Sequence, residues 1–119
     1  MTRYSVYSTS TFKKSLKHLR KKYPHIREDL EEIVQVLAQF PDMGTAIPGY
    51  SHRTWKIRAK CTDVRKGKRA GYRIIYFWES GKKDVYLLFV YIKAEKTDVT
   101  KDEIEKLLQG LQRELDSSE

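Results

Sequence analysis

Apolar positions along this chain change period three times, and each change marks an element. Residues 3–7 alternate, with Tyr4 and Val6 on one side, and read as a short strand. Ser8, Thr9 and Ser10 are helix N-cap residue types. Phe12, Leu16, Leu19 and Tyr23 then fall on one helical stripe, and Lys13, Lys14, Lys17, Lys21 and Lys22 occupy the other side. Pro24 ends that helix and suits the first turn of the next. Ile26, Leu30, Ile33, Leu37 and Phe40 continue at helical spacing. Glu28, Asp29, Glu31 and Glu32 lie in the half of that helix where its dipole favours acids. Two helices joined at a proline predict an antiparallel hairpin able to cover one side of a sheet.

Residues 41–50 hold two prolines and two glycines and read as a loop. Beyond them the period returns to two. Trp55, Ile57 and Ala59 alternate with Lys56, Arg58 and Lys60, so the apolar and cationic sets take opposite faces of a strand. Residues 72–78, rich in aromatic and β-branched side chains, predict a second strand. A polar turn containing Gly81 leads to a third over residues 84–93. That strand is apolar on both faces, which places it centrally with both faces at least partly covered. Thr100 and Glu103 form a capping-box pair, and Ile104, Leu107, Leu108, Leu111 and Leu115 trace a net-negative C-terminal helix. The order is β-α-α-β-β-β-α within a single domain spanning residues 1–119. The class is α+β, a small antiparallel sheet with the N-terminal helical hairpin on one face. The opposite face then carries Lys56 and Arg58, with either Arg73 or Tyr72 beside them according to register.

Charge sharpens this picture. The formal net charge is +8, and the window from Arg53 to Arg73 sets nine Lys or Arg against one acid, Asp63. That window alone accounts for the whole net charge. A local positive field on a structured element suggests a polyanion partner. Arg65, Lys66, Lys68 and Arg69, grouped around Gly67, read as an RNA contact or as a solvated hairpin loop. Lysines of the first helix read as a solvated face or a secondary RNA contact. Tyr72, Tyr76, Phe77 and Trp78 could stack on bases, although aromatic residues on a strand are more often core. The single cysteine, Cys61, excludes an internal disulfide framework, fits a reducing compartment and has no partner motif. His18, His25 and His52 lack metal-ligand spacing, so neither metal nor cofactor is expected. The first two read as surface residues. No hydrophobic run of signal-peptide type opens the chain, and the longest apolar stretch, residues 85–92, is too short to span a bilayer. The expected setting is soluble and cytoplasmic, with no membrane partner.

Several motifs occur in one order: Trp55-Lys56-Ile57-Arg58, then Lys66-Gly67-Lys68-Arg69-Ala70-Gly71-Tyr72-Arg73-Ile74-Ile75-Tyr76, then Tyr86-Leu87-Leu88-Phe89-Val90-Tyr91-Ile92-Lys93. Ile47-Pro48-Gly49 precedes them, and Thr97-Asp98 follows before the last helix. In these the chain resembles the RelE/HigB-type toxins of bacterial type II toxin–antitoxin modules, in the RelE/ParE superfamily. The long basic stretch before Gly71 is similar to the HigB-like branch. The resemblance implies a small antiparallel sheet packed by two N-terminal helices. It also implies a metal-independent mRNA endonuclease (an mRNA interferase) that acts in the ribosomal A site, inhibits translation and is neutralised by a cognate antitoxin. In that chemistry a ribose 2′-OH attacks the adjacent phosphate, giving a cyclic phosphate and a 5′-OH. Such a step needs a base, cations for the phosphorane charge and an acid for the leaving oxygen.

Carried over by motif, Lys56 and Arg58 match the family's cationic pair, Arg73 matches the arginine after Gly-Tyr, and Lys93 closes the last strand beside the site. Arginines suit bidentate phosphate contacts, and a lysine crowded by cations suits the role of base. Relatives often place an arginine, histidine or tyrosine near the end of the last strand or chain as the acid. Here no tyrosine follows Tyr91 and no histidine follows His52, so that role points to Tyr91 if its ring faces the site. The same superfamily holds non-nucleases, including ParE-like inhibitors of DNA gyrase and remnants that only bind their antitoxin. A cationic cluster on the sheet face is expected of the nuclease and dispensable for the gyrase binder. A plain nucleic-acid-binding module, with salt-dependent binding and no cleavage, is a third reading.

Overall fold

The computed structural model describes residues 3–64 and 71–117. In chain order the elements are β1 (Ser5–Ser8), α1 (Ser10–Arg20), α2 (Ile26–Leu37), β2 (Thr45–Ala46), β3 (Thr54–Ala59), β4 (Tyr72–Phe77), β5 (Asp84–Ile92) and α3 (Lys101–Ser117). The α+β class and element order stand, with one addition: the two-residue strand β2 inside the Pro- and Gly-containing loop. All five strands form one sheet, ordered β1-β5-β4-β3-β2. Pairing is antiparallel except at one edge, where β1 runs parallel to β5 with Ser5 opposite Asp84 and Ser8 opposite Leu87. Residues 9–83 separate these two strands, so the long crossover that a parallel pair requires is present.

Local chemistry sets the helix ends. Thr9 caps α1, its Oγ1 accepting from the Phe12 N–H at 3.4 Å. Pro24 lies in the turn before α2, whose N-cap is His25, so the proline stops α1 without entering the first turn of α2. At its other end α2 stops at Leu37, and Phe40 falls off the stripe with 52% of its surface exposed. Pro41 is the physical reason, since a residue preceding proline is pushed out of the α region. The predicted capping box of α3 is reciprocal: the Thr100 N–H donates to Glu103 Oε1 at 2.8 Å, and the Glu103 N–H donates to Thr100 Oγ1 at 3.1 Å.

The sheet separates two cores. Phe12, Leu19, Ile26, Leu30 and Leu37 of the helical hairpin cover the face made by Trp55, Ile57, Tyr72, Ile74, Tyr76, Val85, Leu87, Val90 and Ile92. On the other face Leu107 and Leu111 of α3 pack on Ile75, Leu88 and Tyr91. Each leucine buried there contributes about 1.5–3 kcal/mol. β5 is therefore covered on both sides, as its two-faced apolarity requires. Tyr72 and Tyr76 are fully buried and Trp78 nearly so, which removes them as base-stacking platforms. Their rings are core because each belongs to the face under the hairpin.

Past Leu87, β5 runs beyond the end of β1, and hydroxyls of α1 and its cap close that edge. Thr9 Oγ1 donates to the Leu87 carbonyl at 2.8 Å, Thr11 Oγ1 donates to that of Leu88 at 2.7 Å, and Ser15 Oγ accepts from the Val90 N–H at 3.1 Å. These bonds satisfy backbone groups that would otherwise offer a template for strand addition.

On the far edge, the loop carrying β2 is pinned by one phenol. Tyr76 Oη donates to the Pro41 carbonyl at 2.7 Å and accepts from the Gly44 N–H at 3.1 Å. A Cβ at Gly44 would stand 2.6 Å from Tyr76 Oη and 2.7 Å from the Lys56 carbonyl oxygen. Only glycine permits so close an approach. Gly44→Ala is expected to lower stability by about 1–3 kcal/mol, read as a lower urea midpoint at unchanged slope. An unshifted midpoint would show that the loop yields without cost.

Candidate functional site

Strand register builds the site. Arg58 on β3 lies opposite Arg73 on β4, Arg73 lies opposite Tyr91 on β5, and Lys56 lies opposite Ile75. Because side chains alternate, Lys56, Arg58, Arg73 and Tyr91 all project from one face. The choice left open by the sequence resolves to Arg73, and Tyr72 belongs to the opposite face. Together with Lys93 just past β5, these residues line one open cleft of about 750 Å³. Met43, Gly44 and Thr45 form part of its wall. α3 covers the neighbouring part of the same face, over Leu88 and Tyr91, and leaves Arg58 and Lys93 exposed and Lys56 partly so. Every one of the five residues singled out as catalytic is thus brought to one place. Arg65, Lys66, Lys68 and Arg69 lie outside the described residues.

Within the cleft the groups differ in burial and partners. Arg58 is exposed, whereas Arg73 is 6% exposed and its Nη1 donates to the carbonyls of Gly71 and Tyr72 at 3.1 and 3.2 Å. Burial, then the neighbouring Arg58 charge, pulls the Arg73 pKa below its ordinary value. The group nevertheless stays cationic, because a guanidinium starts so far above neutrality. Lys56 Nζ pairs with Asp98 Oδ1 at 3.2 Å. The same oxygen accepts from Val99 N–H at 2.8 Å and makes a long contact of 3.4 Å with the Tyr91 hydroxyl. Burial, reinforced by the Asp98 charge and hydrogen bond, pushes the Tyr91 phenol up to about 12, with Arg73 opposing in part. Burial alone would raise the Asp98 carboxyl, but the Val99 N–H and Lys56 hold it below the usual range. Lys93 Nζ donates to the Thr97 carbonyl at 2.7 Å, and its backbone N–H donates to Gly71. The arrangement offers several cations to an anion and one neutral phenol able to give up a proton.

Asp98 enters the sequence reading only as part of the Thr97-Asp98 motif, with no role in the site. It lies past the last strand, where alternation no longer says which way a side chain points. Besides that motif, the sequence signal is an acid placed just before a helix start and close in sequence to Lys93 and Lys96. At the entry to the basic stretch, the start of α2 holds the chain. His25 N and Nδ1 bond the Asp63 carboxylate at 3.0 and 2.7 Å, and Asp29 accepts from the Thr62 N–H at 2.9 Å. Of the histidines, His25 makes this ion pair, His18 lines a separate groove between α1 and α3, and His52 is exposed at positive φ near Trp55. Among the described residues no helix is long and apolar enough to cross a membrane.

The family model described as the ParE toxin of type II toxin–antitoxin system, parDE, matches residues 6–98. The chain belongs to the ParE toxin family. It is a type II toxin of the RelE/ParE superfamily, and the matched span contains every residue of the cleft together with Asp98. Among solved structures, this ParE-family toxin is similar to a double arginine-to-alanine mutant of the E. coli toxin RelE in the free state. The TM-score is 0.53 at 20% identity, covering 80% of this chain and 88% of that one. At that identity the likeness is one of fold. No curated protein matches the sequence.

One physical consequence of the site can be measured directly. Tyr91 should remain a neutral phenol well past the pH at which an exposed tyrosine ionises, about 10. A near-ultraviolet tyrosinate titration of the toxin, minus that of Tyr91→Phe, should place its midpoint at about 12. A midpoint near 10 would mean that the ring is solvated and not held against Asp98.

Proposed function

We propose that this toxin is a metal-independent, ribosome-dependent mRNA endonuclease that cleaves by 2′-OH attack. The observation that carries the reading is the convergence of Lys56, Arg58, Arg73 and Lys93 with the Tyr91 phenol in a cleft on the sheet face beside α3. Arg58 and Arg73 would take the non-bridging phosphate oxygens and stabilise the charge that grows on them. Lys56, entering as the neutral amine that crowding by cations favours, would accept the 2′ proton as the 2′ oxygen bonds to phosphorus. Tyr91 would give its proton to the 5′ oxygen as that bond breaks. The products are a cyclic phosphate and a 5′-OH. The basic stretch of Arg65, Lys66, Lys68 and Arg69 would add contacts to ribosomal or messenger RNA. Membership of the ParE toxin family implies a neutralising antitoxin. The HigB-like branch remains our reading of that basic stretch.

A second reading is favoured by the matching family model itself, since ParE-like members can act on DNA gyrase without cleaving RNA. Such a toxin has no use for a cationic cleft, which is why the nuclease is preferred.

The test is to induce the chain in cells and map mRNA 5′ ends. Arg58→Ala is the informative variant: Arg58 is exposed and makes no ion pair among the described residues, so the fold should survive its loss. Cleavage should fall by about 10²-fold or more. Arg73→Ala should fall at least as far, but Arg73 also holds two carbonyls, so its loss confounds stability with chemistry. A fully toxic Arg58→Ala protein, with intact messages and lost gyrase supercoiling, would establish the second reading.

Neutralising Arg65, Lys66, Lys68 and Arg69 together should weaken ribosome binding and flatten its dependence on salt, with each lost phosphate contact lowering the log–log slope by about 0.7–0.9. An unchanged slope would mean that these side chains are merely solvated.

A further inference from the structure

Asp98 brings a carboxylate to donors that otherwise serve an anion site. It stands at the rim of the cleft, lining an adjoining recess with Thr45, Ile47, Pro48 and Lys56. Its Oδ1 engages both Lys56 Nζ and the Tyr91 hydroxyl, two groups that line the cleft itself. A phosphate oxygen would recruit the same two donors. The carboxylate is 63% exposed on its side chain and sits on the connection between β5 and α3, so it can rotate toward water without disturbing either core.

We propose that Asp98 is a resident competitor: in the free toxin it holds the donors that an RNA phosphate needs, and RNA binds only by displacing it. The inference rests on the nucleic-acid reading of the cleft given above. Two features fit displacement better than permanent support. The Asp98 end of the Lys56 pair is open to water and the Lys56 end partly so, and the loss of such an ion pair costs little. The Tyr91 contact is long, at 3.4 Å, as expected of a donor shared and not fully committed. The carboxylate also selects among anions. A small isolated anion offers too little to evict it, whereas a chain bound through Arg58, Arg73 and flanking cations brings enough interaction to do so.

The experiment measures binding of a short 2′-O-methyl RNA, which cannot undergo 2′-OH attack, to the full chain and three variants: Asp98→Asn, Lys56→Gln and the double variant. Asparagine keeps the acceptor for Val99 N–H and removes the charge. Asp98→Asn should bind several-fold more tightly, up to about five-fold for an exposed pair. That gain should shrink markedly in the Lys56→Gln background, where the contested cation is gone and only the Tyr91 hydroxyl is left to release. Unchanged or weaker binding by Asp98→Asn would overturn the proposal and make Asp98 a support for Lys56. An equal gain in both backgrounds would also overturn it, since removal of a negative charge would then act at long range. Failure of all four proteins to bind would defeat the nucleic-acid reading of the cleft and this proposal with it, whereas the two preceding outcomes defeat only the role of Asp98.

Discussion

The register between β3 and β4 is the constraint on which the rest depends. Arg58 and Arg73 lie directly opposite one another, and like charges so placed repel. A one-residue slip of β3 would relieve that pair, but it would also send Lys56 and Arg58 into the core under the helical hairpin and turn Trp55 and Ile57 out to solvent. Burying unpaired charge costs several kcal/mol per group, far more than a cross-strand repulsion. The aromatic face therefore fixes the register, and the cationic face follows it. Trp55 stacks on Tyr76, its Nε1 donates to the Trp78 carbonyl at 3.0 Å, and Trp78 N–H donates back to Arg53. The cationic cluster is a local cost held in place by the packing behind it.

Where α3 lies decides how much of that face is left for chemistry. A sheet with one face on a helical hairpin can leave the other to water, but β5 is apolar on both sides and cannot. α3 meets this need over Leu88 and Tyr91, and its reciprocal capping box starts it beside Asp98, at the margin of the cations. Two demands divide one surface: apolar β5 is covered, and Lys56 and Arg58 of β3 stay accessible. Tyr91 belongs to both halves. Its ring packs in the second core, and its hydroxyl reaches the cleft rim. That dual placement keeps the phenol neutral and fixed.

Much of this could be read from the chain. Two-residue alternation in residues 55–60 separated the apolar and cationic sets correctly, because a half-buried strand has no other way to place them. Five of the candidate site residues meet in one cleft for the same reason. Elements defined by partners distant in sequence were harder. β2 consists of two residues and exists because Tyr76 pins its loop, which no local period reveals. The parallel pairing of β1 depends on which edge of the sheet the hairpin crosses. Phe40 keeps helical spacing but not helical structure, because Pro41 overrides the pattern. Asp98 escaped because its importance lies in a contact with Lys56, forty-two residues away. The face of Arg73 needed the register, which sequence left as two alternatives.

The fold alone does not choose between a nuclease and a gyrase inhibitor, since both are built on it. The choice of side chain at position 73 bears on the question more directly. That position is 6% exposed, and burial already pulls the pKa of its side chain down. A lysine placed there could escape the cost by shedding its proton, whereas an arginine cannot. If the position served only to hold the Gly71 and Tyr72 carbonyls, a neutral donor would do so without bringing a second charge against Arg58. An obligatory cation, buried and facing another across the strands, would gain interaction when an anion arrives between them. In a site of lowered dielectric that gain is larger than it would be on an open surface. Under the reading proposed above, that gain is what a phosphate between Arg58 and Arg73 would supply.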